Sequence, residues 1–283
     1  VVVESDLTAM RVYISVDMEG VAGVVHRDQC IRGKNDYPRA AELMTLEADA
    51  AAKGAFEGGA SHVLINDSHG DMRNLRLDLL DPRVEVITGN LKEFSMAQGV
   101  VDGNFEVAMF IGYHGGIGTQ NAILDHTYRS TVVHAVRVNG QSLNEAALNA
   151  WVAGAVGTSV SLVTGDESTC RQCEELLPGV RTRTVKWAVG RMAARSLHPA
   201  RARELIAEAA AQVVRDVHRP EPWTLESPYT LEVDVVSTAM ADAIALMPSV
   251  ERTGPRTVQY RGDDVLTTFR ALLAVIKLGG TAR

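Results

Sequence analysis

The sequence predicts an α/β fold, a mostly parallel sheet with helices on both faces, plus a smaller C-terminal α+β part. Two observations carry this. Short apolar or β-branched runs alternate with helix-forming segments over the first two thirds of the chain, which is the pattern of βαβ units around a covered parallel sheet. From about residue 190 the texture changes to a long helix, an alternating strand and a final amphipathic helix.

Taken in order, Arg11–Val16 is the first strand. Tyr37–Gly58 is rich in Ala, Leu, Met and Glu and closes on Gly58-Gly59, a helix with a glycine stop. Further strands are expected over 62–66, 84–88, 106–112, 132–138 and 159–164, and helices over 143–155 and 167–177, the last ending at Pro178-Gly179. Residues 199–218 read as a helix with Pro199 in its first turn. In 229–236, Leu231, Val233 and Val235 alternate with Glu232 and Asp234, as in a half-exposed strand. Residues 263–278 form the last expected helix. The expected division is an extension over 1–9, an α/β domain over 10–189 and a smaller α+β domain over 190–283.

The 283 residues carry 28 Lys and Arg against 35 Asp and Glu, a formal net charge of −7. An acidic chain lacks the basic footprint of a dedicated nucleic-acid binder. A hydrophobic content of 46% argues against intrinsic disorder, and three cysteines do not make a disulfide scaffold. No apolar run reaches the roughly 18 to 20 residues that cross a bilayer, and the first residues lack the pattern of a signal peptide. The expectation is a cytoplasmic protein with neither membrane nor nucleic acid as partner.

Three expected strands end in potential metal ligands. Ser15-Val16-Asp17-Met18-Glu19-Gly20 places two carboxylates two residues apart, on one face of an extended chain. Leu64-Ile65-Asn66-Asp67-Ser68-His69 and Phe110-Ile111-Gly112-Tyr113-His114 repeat the grammar of an apolar strand running into polar residues. Ligands in open α/β sheets bind outside the carboxyl ends of strands, so Asp17, Glu19, His69 and His114 can converge there. Singly, each reads first as a turn former or a helix cap. As a set of mixed carboxylates and imidazoles they suit zinc or another first-row divalent ion. Ser142-Leu143-Asn144-Glu145 reads as a capping box, which by itself accounts for Glu145. His126 lies in a long polar, glycine-rich loop beside a strand end. Cys170-Arg171-Gln172-Cys173 has no second pair and reads as two small buried residues of a helix.

These segments, together with Asn144-Glu145 through Leu148-Asn149-Ala150, resemble the D-aminopeptidase family of binuclear zinc peptidases associated with dipeptide transport. The likeness also takes in 89–96 and 246–259, and so spans nearly the whole chain from Met10. The resemblance implies two Zn2+ per chain. Asp17 matches the bridging carboxylate, Glu19 and His114 the ligands of one ion, and His69 and Glu145 those of the other. His126 matches a catalytic histidine, one that steadies an oxyanion or protonates a leaving amine. The implied activity is aminopeptidase cleavage of short peptides with N-terminal D-amino acids, such as D-Ala-D-Ala, by a metal-bound hydroxide. The implied assembly is a homodecamer of stacked pentameric rings, with 10–189 as the metal-binding catalytic domain and 190–283 serving oligomerisation and lining the site. The alternatives are a binuclear hydrolase of L-peptides, amides or phosphoesters, and a metal-stabilised peptide-binding oligomer without catalysis.

Overall fold

The computed structural model describes residues 10–282, so the extension expected over 1–9 lies outside the described residues. Strands β1 (Arg11–Val16), β2 (His62–Asp67), β3 (Glu85–Ile87), β4 (Val107–Tyr113), β7 (Ser159–Asp166), β8 (Arg181–Gly190) and β9 (Ala193–Ser196) form a seven-stranded sheet in the order β3-β2-β1-β4-β7-β8-β9. All neighbours pair in parallel except β8 with β9. β1 shows why the sheet is covered twice. Val12, Ile14 and Val16 face helices α1 (Tyr37–Gly58) and α4 (Pro199–Arg215), while Tyr13 faces the opposite cluster, built on α2 (Glu145–Ala155) and α6 (Val265–Gly279).

The second sheet is antiparallel and has the order β11-β12-β10-β5-β6, where β5 is Val133–Val138, β6 Gln141–Ser142, β10 Tyr229–Val235, β11 Val250–Arg252 and β12 Thr257–Gly262. Its make-up departs from the expected division at residue 190. β5 and β6 leave the first segment to pair with β10, and α4 and β9 from the second segment return to the parallel sheet. The alternation of β10 holds, with Leu231, Val233 and Val235 buried and the residues between them half-buried. Helix α3 (Glu167–Leu176) starts directly after β7, capped by Asp166, whose carboxylate accepts from Thr169 N–H at 2.8 Å. Among the described residues, no helix is long and apolar enough to cross a membrane.

Candidate metal centre and active site

The site forms where β1, β2 and β4 end side by side. Past Val16 the chain stays beside β4: Asp17 N–H donates to Ile111 O at 2.8 Å and Gly20 N–H to Gly112 O at 2.8 Å. Gly112 has φ +71° and interrupts the alternation of β4, so Tyr113 joins the same side as Phe110 and the chain turns His114 toward Asp17. A Cβ at Gly112 would lie 2.4 Å from Asp17 O, and one at Gly20 would lie 1.9 Å from Tyr113 O, so the two backbones meet only through glycine.

Lys186 fixes the loop that carries Glu19. Its ammonium is fully buried in the middle of β8 and donates to the carbonyls of Glu19, Val21 (3.0 Å) and Val24 (2.6 Å). Burial pushes its pKa down to about 8, against the pull of Asp166 and Glu47. A lysine inside the apolar run Val185-Lys186-Trp187-Ala188-Val189 was the sequence signal for this clamp, and strand patterning alone passes over it.

Five expected residues come together in one buried cluster. Asp17 stands at its centre, with Oδ1 3.2 Å from His69 Nδ1 and Oδ2 3.3 Å from His114 Nε2. His69 Nδ1 is also 2.9 Å from Glu19 Oε2, without hydrogen-bond alignment, and His114 Nε2 is 3.3 Å from Glu145 Oε1. Ligand atoms of Asp17, Glu19 and His114 gather within 4.8 Å, the set implied for one ion. His69 and Glu145 do not share such a trio. His69 joins Glu19 and Cys30, and Glu145 joins His114 and His126. Burial pushes the Cys30 thiol up, and the Glu19 and Asp17 charges add to the shift.

Glu145 is placed differently from the capping-box reading. Helix α2 starts at Glu145, and Asn144 is its cap, with Oδ1 accepting from Ala147 N–H at 2.9 Å. Ser142 lies in β6, two residues too early to cap. The Glu145 carboxylate is therefore free to face the cluster, and it also accepts from Tyr128 N–H at 2.6 Å.

His126 reaches the same place from the loop between β4 and β5. Its ring stacks on that of His114 at 4.0 Å, and its Nε2 lies 3.8 Å from Glu145 Oε1. The loop is held from outside: Ile123 N–H donates to Asp166, Leu124 N–H to Arg191 O, and Arg191 Nε to Asp125 at 2.6 Å. Leu124 and Tyr128, on either side of His126, have φ of 51° and 56°, a strained backbone held by these contacts.

The three rings share one feature. His69 Nε2–H donates to Cys30 O (2.8 Å), His114 Nδ1–H to Gly115 O (3.0 Å) and His126 Nδ1–H to Leu124 O (2.9 Å). A carbonyl only accepts, so these nitrogens carry hydrogen and the other nitrogen of each ring faces carboxylates. In His69 and His114 that nitrogen meets oxygen lone pairs across about 3 Å, an arrangement that calls for a cation between them. Protons fill that role without metal. Burial disfavours charge on His69 and His114, but the adjacent carboxylates raise both well above the ordinary imidazole range. Burial likewise opposes ionisation of Asp17, Glu19 and Glu145, and the histidines still hold all three below the usual carboxylate range. Glu19 Oε2 and His114 Nε2 are buried without a hydrogen-bond partner among the described residues, so the donor set fits a divalent metal.

A cavity of about 650 Å³ opens over the cluster, with room for a small ligand. Met72, Met96 and Leu124 form apolar wall, α6 adds Leu273 and Ile276, and Lys92 lines one side. The CxxC pair takes no part. Cys170 and Cys173 are buried on α3, and burial lifts the Cys170 thiol to about 11.

The sequence model of a peptidase family described as D-aminopeptidase matches residues 10–274. The chain belongs to the D-aminopeptidase family. It is 36% identical over 270 residues to a D-aminopeptidase of Bacillus subtilis (strain 168), covering 95% of this chain and 97% of that protein. Among solved structures it is similar to the Zn-dependent D-aminopeptidase DppA from Bacillus subtilis, described as a self-compartmentalizing protease. The TM-score is 0.92 at 34% identity, over 96% of this chain and 98% of the other. Membership of the D-aminopeptidase family makes the chain a peptidase, and the fold expected from the sequence is the family's fold.

Proposed function

We propose that the chain is a zinc-dependent aminopeptidase that hydrolyses short peptides with an N-terminal D-amino acid, such as D-Ala-D-Ala. The observation that carries this reading is the common orientation of the three imidazoles, each tied by one N–H to a backbone carbonyl and turned by its other nitrogen toward buried carboxylates. Asp17, Glu19, His69, His114 and Glu145 would hold two Zn2+ per chain. When bound, zinc supplies Lewis acidity and brings the pKa of a water close to 7. The chain's own groups do the rest. The free amino terminus that defines an aminopeptidase substrate would lie beside this cluster, as a neutral amine. His126, in this reading the catalytic residue, presents Nε2 to the cavity, where it can take up the proton that the attacking water gives up and, as imidazolium, donate to the tetrahedral oxyanion or pass that proton to the leaving amine. Its Nδ1–H bond to Leu124 O holds the ring for that task.

The same reading covers assembly. The solved relative is self-compartmentalizing, and the proposal for this chain is a homodecamer of stacked pentameric rings that admits only short peptides. Hydrolysis of D-Ala-D-Ala and L-Ala-L-Ala by zinc-loaded protein, each beside a chelated sample, tests the function. Zinc-dependent cleavage of the D-dipeptide alone is the expected result. Cleavage of the L-dipeptide alone would remove the D-label, and cleavage of neither would remove the peptidase reading.

A further inference from the structure

Lys92 is a buried cation on the wall of the cavity with no carboxylate bonded to it; burial lowers its pKa to about 8, against the pull of the Asp67 charge nearby. The residue is 8% exposed. Its Nζ donates to Asn66 Oδ1 and to the Asp67 carbonyl, both at 2.6 Å, and both acceptors are neutral. The Asp67 carboxylate is turned away and saturated by Asn74 N–H (2.5 Å), Asn74 Nδ2 (2.8 Å) and Leu75 N–H (2.9 Å). Glu93, the next residue, pairs with Arg270 at 2.8 Å. An ammonium has three donors, and the third on Lys92 has no acceptor among the described residues. Burying a charge without a counter-charge is costly, so a protein that keeps one at a cavity wall has use for an anion there.

We propose that Lys92 anchors the C-terminal carboxylate of the substrate, which makes short peptides with a free C-terminal carboxylate the preferred ones. This rests on the aminopeptidase reading above. The Asp67 carbonyl that holds Nζ lies two residues before His69, so Lys92 stands on the same wall of the cavity as the metal cluster. The cavity then takes the peptide by both ends, the amino end at the metal cluster and the carboxylate at Lys92. Arg129 and Lys277 also line the cavity but are exposed, and a solvated charge selects a carboxylate weakly.

The test is steady-state kinetics of the zinc-loaded full chain on D-Ala-D-Ala and on its C-terminal amide, for the wild type, Lys92→Arg and Lys92→Met. The wild type is expected to favour the acid by roughly 10- to 100-fold in kcat/KM, the loss usual when a charge-assisted bond in a buried site is left unmade. In Lys92→Met the ratio falls toward one, and Lys92→Arg keeps part of it. Equal rates on acid and amide in the wild type overturn the proposal, and that result needs no variant to fold. An undiminished ratio in Lys92→Met also overturns it, because a group acting on the fold or on the scissile carbonyl lowers both rates together. Should the wild type cleave neither compound, the peptidase reading fails. Calorimetric titration with the same two compounds then decides the anchor separately: tighter, Lys92-dependent binding of the acid supports it, and equal binding overturns it.

Discussion

Glu47 sits on α1 with only 2% of its surface exposed. One carboxyl oxygen accepts from Ala22 N–H at 2.9 Å, and the other has no partner among the described residues. Burial raises its pKa from the ordinary 4.5 to about 7, against the Ala22 N–H and the charge of Lys186. The folded pKa exceeds the unfolded one, so the folded chain holds the proton more tightly. The contribution to stability is full below pH 4.5 and is lost as pH rises through about 7. Glu47→Gln keeps the acceptor for Ala22 and never ionises. Its stability relative to wild type should be near zero at pH 4 and favourable by about 1–3 kcal/mol at pH 8. Urea melts at the two pH values check this, and a difference that does not change with pH would show that the carboxyl is not the buried acid inferred here.

At the scale of elements, the close passage of the β1 extension over β4 is what brings Asp17 and His114 within reach of each other. Gly112→Ala meets two penalties, a positive φ and a Cβ 2.4 Å from Asp17 O. Gly118→Ala meets only the first, since φ is +80° and nothing lies within 4 Å of an added Cβ. The expected losses are about 2–4 kcal/mol for Gly112→Ala and about 1 kcal/mol for Gly118→Ala. Denaturant melts of the pair test the argument, and equal losses would mean that backbone contact does not hold this end of the sheet. This passage also explains what could be read in the sequence. Asp17, Glu19, His69 and His114 are legible because strand ends are local, each an apolar run breaking into polar residues. Glu145 invites a capping box because Ser142 and Glu145 have the right spacing, and only the three-dimensional start of α2 moves the cap to Asn144. β5 reads as one more strand of the alternating series, yet its partner β10 lies far down the chain, and local pattern carries no information about that pairing. Lys92 and Lys186 leave little trace for the same reason, as each is held by carbonyls of segments remote in sequence.

Across the whole molecule, the metal cluster lies where two hydrophobic bodies meet. One packs α1 and α4 on the parallel sheet, and the other joins α2, α6 and the antiparallel sheet to its opposite face. Asp17 and Glu19 follow β1, His69 follows β2, His114 follows β4, and Glu145 opens α2, so a bound ion would tie these elements together. Three carboxylates within one buried cluster repel each other unless cations intervene, and protons on His69 and His114 do so less completely than divalent metal. Because such a centre exists only in the folded chain, zinc at about 100 times its Kd should add roughly 2.7 kcal/mol to stability. For a chain of this size that corresponds to a rise in Tm of roughly 3–6 °C over the chelated protein. Calorimetric scans of chelated and reconstituted samples measure the difference. Asp17→Asn should remove most of it, because Asp17 alone faces both His69 and His114. An unchanged Tm on reconstitution would sink the metal centre. A chelated chain that fails to fold would make the metal structural, whereas one that stays folded and loses only turnover puts it to catalytic use.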